Sequence, residues 1–198
     1  MLNLDYVFPT PIWWMDTDID CSKMQDIAYD IAQNMDGKGR SNRGAMNYQS
    51  PDFFGEEIIK EDDDDEFCKL LKLIKEWGNK AFDSYESCVT TLEFANAWIN
   101  INNKGGYNET HTHPGALISG AFYVKVPETG DCGSITFHKN AMEAYVTHSL
   151  GLAEDLSKAE APHTHATWTY PPKEGRLILF PAWVTHGVRE NETEEDRI

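Results

Sequence analysis

Basic residues are scarce in this chain: 17 Lys and Arg stand against 33 Asp and Glu, a formal net charge of −16. A surface of that sign repels phosphate backbones, which disfavours a general nucleic-acid binder. Long apolar runs are missing as well. No stretch approaches the roughly 18 apolar residues of a membrane span, and Met1–Trp14 has no basic segment ahead of an apolar one, so it does not read as a secretory signal. Cysteine is sparse, and Cys21, Cys68, Cys88 and Cys132 are scattered without a CxxC pair. This excludes a zinc knuckle and fits idle thiols in a reducing cytoplasm. The acidic run Glu61–Glu66 lacks the alternating ligands and turn glycine of a calcium loop and reads as a solvated helix start.

The 198 residues suffice for one domain with its own core. Val7–Trp14, broken by Pro9 and Pro11, reads as an edge strand. Asp20 precedes Met24, Ile27, Ala28, Ile31, Ala32 and Met35, a helical stripe with a cap in front, ended by Gly37-Lys38-Gly39. Residues 38–56 are polar and read as a loop. Phe67, Leu70, Leu71, Ile74, Trp77, Ala81 and Phe82 form a second helical stripe. From residue 91 the period shortens to two. Strands are expected over 94–102, 117–126, 133–137, 165–170, 176–181 and 184–189. Residues 139–164 lack periodicity and read as a long, lid-like excursion. Two helices followed by many strands argue for an α+β fold, with an N-terminal strand-and-helix part over about 1–90 and a sheet or barrel core over about 91–198.

The histidines carry the chemistry. His111-Thr112-His113 puts two imidazoles two positions apart, and on a strand or at its end both rings reach one side. His186 sits between apolar stretches on what should be a neighbouring strand. Three such ligands on one side of an ion leave its other side open for substrate and oxygen. Neutral imidazoles suit Fe(II), Zn, Ni and Cu(II) alike, so spacing does not name the metal. A second pair, His163-Thr164-His165, has no matching partner, and His138 and His148 read as structural or at the mouth of the site.

The first pair is followed by Gly115–Val124, then Gly133-Ser134-Ile135-Thr136-Phe137, then Gly175–Pro181 leading into Trp183, His186 and Arg197. This ordered set, over about residues 95–197, resembles the 2-oxoglutarate/Fe(II)-dependent oxygenase superfamily. In particular it resembles a subgroup with an HxHP motif found in bacteria and marine phages. The resemblance implies a double-stranded β-helix, a jelly-roll barrel with N-terminal helices outside it. It implies Fe(II) held by His111, His186 and His113, the last in place of the usual carboxylate unless its ring turns away. It implies 2-oxoglutarate as cosubstrate, its far carboxylate on Arg197 and Tyr123, with Ser119 on the same strand face. Asn100 and Asn102 would serve the same cosubstrate, and Trp98, His138 and Trp183 would line the substrate pocket, with Trp98 open to a core-packing role. It also implies that the strand bearing Arg197 runs on past Ile198; without that support Arg197 would be poorly anchored. The expected activity is hydroxylation of a small-molecule or peptidyl substrate coupled to decarboxylation of 2-oxoglutarate, in the cytoplasm of a bacterium or phage-infected cell, by a monomer or homodimer. The rivals are a cupin-type metalloenzyme that does not use 2-oxoglutarate and a non-catalytic metal- or ligand-binding barrel.

Overall fold

A computed structural model of the chain describes residues 8–35, 47–54, 65–85, 91–143 and 165–198. The first strand, β1 (Trp13–Asp16), starts only after Pro9 and Pro11, because proline has no N–H to give a ladder. It lies at the edge of a three-stranded antiparallel sheet ordered β1–β8–β5, with β5 at Ile118–Phe122 and β8 at Arg176–Pro181.

Helix α1 (Cys21–Asn34) is capped by Asp20, whose carboxylate accepts the Lys23 N–H, and it buries Met24 and Ala28. Helix α2 (Glu66–Asp83) is capped by Asp65, whose carboxylate accepts the Cys68 N–H at 2.8 Å. Glu66 in its first turn and Lys80 in its last complement the helix dipole. Phe67, Leu70 and Leu71 of its stripe pack with Met24, Phe53, Ile99, Ile101, Val124 and Ile198 in one core. Burying each large apolar side chain there contributes about 1.5–3 kcal/mol. Trp77 departs from the expected stripe. It sits at the border, partly exposed, with the Lys80 ammonium 4.2 Å from its ring centre.

The polar stretch expected to be loop contains a strand, β2 (Asn47–Gln49), paired antiparallel with β3 (Asn100–Asn102). Polar alternation hid it, since its register partners, not burial on a face, define it. The long strand expected over 94–102 is hydrogen-bonded as a strand only at its last three residues. Beyond Gln49 the partner chain reaches Pro51, and the side chains of Ser50 and Asp52 take over the Ile99 and Ala97 N–H groups.

A four-stranded antiparallel sheet, ordered β4–β9–β6–β7, comprises Asn108–His111, His186–Val188, Ile135–His138 and Thr167–Tyr170. The two larger sheets face each other over Tyr123, Ile135, Phe137, Ile178, Phe180 and Val184. On the other face of β8, Leu177 and Leu179 pack against Ala81 of α2. The unbroken apolar run of β8 follows from this, because both of its faces are covered. The arrangement is α+β with helices outside facing antiparallel sheets. The described strands do not close into one continuously bonded barrel. Of the expected lid, residues 144–164 lie outside the described residues, as do the Gly37–Gly39 stop and Cys88.

Arg197 is well anchored: its N–H and C=O exchange bonds with Asn102 at 3.0 and 2.9 Å, and Ile198 exchanges bonds with Lys125 at 3.0 and 3.1 Å. Two neighbours on opposite sides hold this short segment in place.

Candidate metal and cosubstrate site

β4 ends at His111 and β9 begins at His186, and the two are register partners across the antiparallel ladder. The ladder therefore joins rings that the sequence keeps far apart. His113 follows in the turn, its N–H donated to the Ala182 carbonyl at 2.9 Å, which ties it to the loop ahead of His186. The ring centres lie 4.5 Å (His111–His186), 4.8 Å (His111–His113) and 5.1 Å (His113–His186) apart.

The outward nitrogens are set by the inward ones. His111 Nδ1 is 2.6 Å from the Glu109 carbonyl, and His186 Nδ1 is 2.9 Å from the Val184 carbonyl. A carbonyl can only accept, so each Nδ1 carries the proton and each Nε2 keeps its lone pair for an ion. His113 Nε2 lies 3.3 Å from His186 Nε2. Two nitrogens each about 2.1 Å from one ion stand roughly 3.0–3.4 Å apart at tetrahedral or octahedral angles, so the spacing fits a shared metal. One ligand atom from each of the three histidines falls within 4.8 Å of the others. No aspartate or glutamate completes such a cluster among the described residues.

Burial disfavours a charge on two of the three rings, His186 and His113. His186 is buried against Phe180 and Phe137, ring centres 4.5 and 6.1 Å away. That burial pushes its pKa down to about 4, opposed by the Val184 hydrogen bond and assisted by the neighbouring histidines. His113 is lowered for the same main reason, with His111 adding repulsion. An all-imidazole set favours Fe, Ni, Cu and Zn over the carboxylate-seeking Mn. The substitution His113→Asp should therefore raise Mn(II) affinity relative to Ni(II), as read by competitive metal titration.

Beyond the triad, one cavity of about 1180 Å³ is lined by His111, His113 and His186 together with Trp98, Asn100, Asn102, Ser119, Tyr123 and Arg197. Arg197 is 3% exposed. Its Nη1 donates to the carbonyls of Cys132, Gly133 and Arg189, the last two at 3.1 Å. Among the described residues its buried Nη2 has no partner, and the buried Tyr123 hydroxyl, beside the Ile135 backbone N–H, has no acceptor for its own proton. Burial pushes the Tyr123 pKa up to about 12 despite the nearby guanidinium, so the hydroxyl stays a donor. Two buried donors lacking an acceptor are costly unless a ligand completes them. A carboxylate supplies the acceptors they lack.

The other expected residues divide. Asn102 is buried; its amide donates to Asn108 Oδ1 at 3.2 Å and its own Oδ1 has no partner. Ser119 and Asn100 are half-buried on the cavity wall. Trp98 also lines it, 6.0 Å from the His113 ring centre. Trp183 is not brought to the cavity. The turn that bonds Val184 N–H to the Pro181 carbonyl throws it outward, and it is 64% exposed. His138 is not part of the lining either; Phe137, the register partner of His186, stands beside the triad instead. His165 packs edge-on against Trp168, while His148 and His163 lie outside the described residues. Sequence reasoning missed the Arg197 cradle. Nothing in the spacing of Cys132, Gly133 and Arg189 announces that their carbonyls converge.

Facing antiparallel sheets, three imidazoles that could share one metal ion and a buried guanidinium on the same cavity fit a jelly-roll metalloenzyme. The chain belongs to the family described as "Putative 2OG-Fe(II) oxygenase", whose profile matches residues 96–198, just over half of the sequence. It is a 2-oxoglutarate- and Fe(II)-dependent oxygenase of that family. No curated protein sequence matches it. Among solved structures it is similar to a prolyl-4-hydroxylase from Pseudomonas putida, at 10% identity and TM-score 0.59, over 95% of this chain and 88% of the other. It is similar to HygX from Streptomyces hygroscopicus bound to nickel, 2-oxoglutarate and hygromycin B, at 11% identity and TM-score 0.56, over 95% and 80% of the chains. It is also similar to a prolyl hydroxylase from Trichoplax adhaerens in complex with a peptide fragment of hypoxia inducible factor, at 12% identity and TM-score 0.55, over 94% and 79%. At these identities the likeness establishes the fold, and with it the jelly-roll architecture. No helix among the described residues is long and apolar enough to cross a membrane.

Proposed function

We propose that His111, His113 and His186 hold Fe(II), that Arg197 and Tyr123 hold the far carboxylate of 2-oxoglutarate, and that the enzyme hydroxylates a small-molecule or peptidyl substrate. The observation that carries this reading is the pair of unfilled buried donors, Arg197 Nη2 and the Tyr123 hydroxyl, on the same cavity as the three imidazoles. When bound, iron and 2-oxoglutarate supply the oxidising chemistry, in which one oxygen atom goes to succinate and the other to the substrate.

The chain's own residues bind and orient. The carbonyls of Glu109 and Val184 hold two imidazoles in the ligating tautomer. Arg197 brings a full positive charge with no carboxylate on it, and Tyr123 adds a neutral donor, so together they select a dianion by charge and by length. Asn102, with one oxygen unfilled, and half-buried Ser119 and Asn100 supply further polar contacts along the wall. Phe137 and Phe180 keep water from the His186 side. Trp98 forms the wall nearest His113, where a substrate approaches. The hygromycin B and peptide complexes among the fold relatives mark the two substrate classes to screen first. The chain's acidity makes nucleic acid a poor third, and the buried thiols of Cys21 and Cys132 suit the cytoplasm.

The test is anaerobic. Fe(II) and 2-oxoglutarate added together should give a visible charge-transfer band that neither gives alone, and air should then release succinate. A cupin-type enzyme that makes no use of 2-oxoglutarate would give neither, and a non-catalytic barrel would give the band without the succinate.

A further inference from the structure

The Arg197 guanidinium is aimed by its surroundings, and the strongest part of those surroundings is a residue that touches neither metal nor cosubstrate. Asn191 is fully buried, at 0% exposure. Its amide nitrogen donates to the Asn102 carbonyl at 2.9 Å and to the Glu195 carbonyl at 2.7 Å. Its amide oxygen accepts from the Thr193 N–H at 3.1 Å and from the Thr193 hydroxyl at 2.8 Å. Its backbone is held too, between Gly105 N–H and the Gly106 carbonyl at 2.7 and 2.8 Å. Every polar group of the residue is thus satisfied inside the protein.

The link to Arg197 is a shared acceptor. The Asn102 carbonyl takes the Asn191 amide at 2.9 Å and the Arg197 backbone N–H at 3.0 Å. The Asn191–Glu195 bond closes the turn from which the chain enters the Arg197 segment. The side chain of Arg197 then meets three converging carbonyls, and the room for it is made by Gly133. That residue has φ +85°, and a Cβ there would lie 2.5 Å from Arg197 Nη1 and 2.1 Å from the Arg189 carbonyl oxygen. With Nη1 consumed by carbonyls, Nη2 is the terminal nitrogen left to face the cavity.

We propose that Asn191 is a positioning residue for 2-oxoglutarate binding: it fixes the turn 191–195 against Asn102 so that Arg197 presents the Nη2 side of its guanidinium to the far carboxylate. The inference rests on the reading of Arg197 given above. Its mechanism is geometric, because a fork that rotates or slides by about an ångström loses a paired hydrogen bond to a carboxylate.

The experiment measures 2-oxoglutarate binding to the Ni(II)-loaded protein by calorimetry, and pyruvate binding by displacement. Pyruvate has the same oxo-acid end and no second carboxylate, so Arg197 does not engage it. Asn191→Ala should weaken 2-oxoglutarate about tenfold while leaving pyruvate and Ni(II) affinities within about twofold. Thr193→Val keeps the shape of the turn but removes the hydroxyl proton that Asn191 Oδ1 and the Glu195 carbonyl share. It should weaken 2-oxoglutarate about threefold with the same selectivity, and it serves if Asn191→Ala does not fold. Equal weakening of both ligands, or of neither, in the folded variant would overturn the proposal. Arg197→Lys is the control. If it leaves 2-oxoglutarate binding unchanged, the assignment of Arg197 is wrong; if it weakens binding and the Asn191 and Thr193 variants do not, only the positioning role is wrong.

Discussion

Replacing Arg197 by methionine should abolish useful affinity for 2-oxoglutarate while changing the stability of the metal-free fold far less. Truncating one partner of a buried, charge-assisted pair costs about 2–5 kcal/mol. At tenfold per 1.4 kcal/mol, that is a loss of roughly 30-fold to a few thousandfold in affinity. Without ligand the balance is closer. Arg197 is buried with one terminal nitrogen unpartnered, and desolvation already holds its pKa below the usual guanidinium value. An apolar side chain of similar length relieves that buried charge but leaves the Cys132, Gly133 and Arg189 carbonyls without their donor, so the two effects offset each other in part. Calorimetric titration with 2-oxoglutarate and thermal unfolding of the metal-free variant check the two halves. A fall in stability with unchanged affinity would mean that the guanidinium is a structural strut.

The second large effect concerns His186. Loss of a carbonyl that merely orients a ligating histidine costs about 10–100-fold in metal affinity, so loss of the imidazole itself in His186→Ala should exceed about 100-fold and take succinate formation with it. The same residue shapes the acid response of the metal-free protein. Free imidazole has a pKa of about 6.5, and burial lowers that of His186 to about 4 in the fold. Between those values the unfolded chain takes up a proton that the folded chain refuses. The stabilisation is therefore complete above pH 6.5 and is lost as pH falls toward 4. Thermal scans of the metal-free protein should show Tm dropping through this window, and His186→Ala should flatten that drop. A wild-type Tm independent of pH between 6.5 and 4 would contradict the burial of the ring.

Much of this could be read along the chain, for local reasons. The stripes from Met24 and from Phe67 become α1 and α2 because capping by Asp20 and Asp65 and helical spacing act within a few residues. β8 was legible because Leu177–Phe180 is apolar on both of its faces. β2 was not, because Asn47–Gln49 is a strand only by virtue of its partner at Asn100–Asn102. Trp183 looked like pocket wall from its place beside His186, and the Pro181–Val184 turn sends it to solvent. His138 looked eligible by residue type, but the register puts Phe137 beside His186.

The sequence by itself determined the donor set and the charges: two imidazoles two residues apart, a third in an apolar setting, an arginine eleven residues after it and a strongly acidic exterior. These follow from residue chemistry and short spacing. Only the tertiary structure decided that the three rings meet, through a ladder that makes His111 and His186 partners. It also decided that Arg197 and Tyr123 are buried with donors unfilled, and that the Cys132, Gly133 and Arg189 carbonyls converge on the guanidinium. Convergence of distant backbone carbonyls and the desolvation of a side chain are properties of packing, and a linear order of residues does not record them.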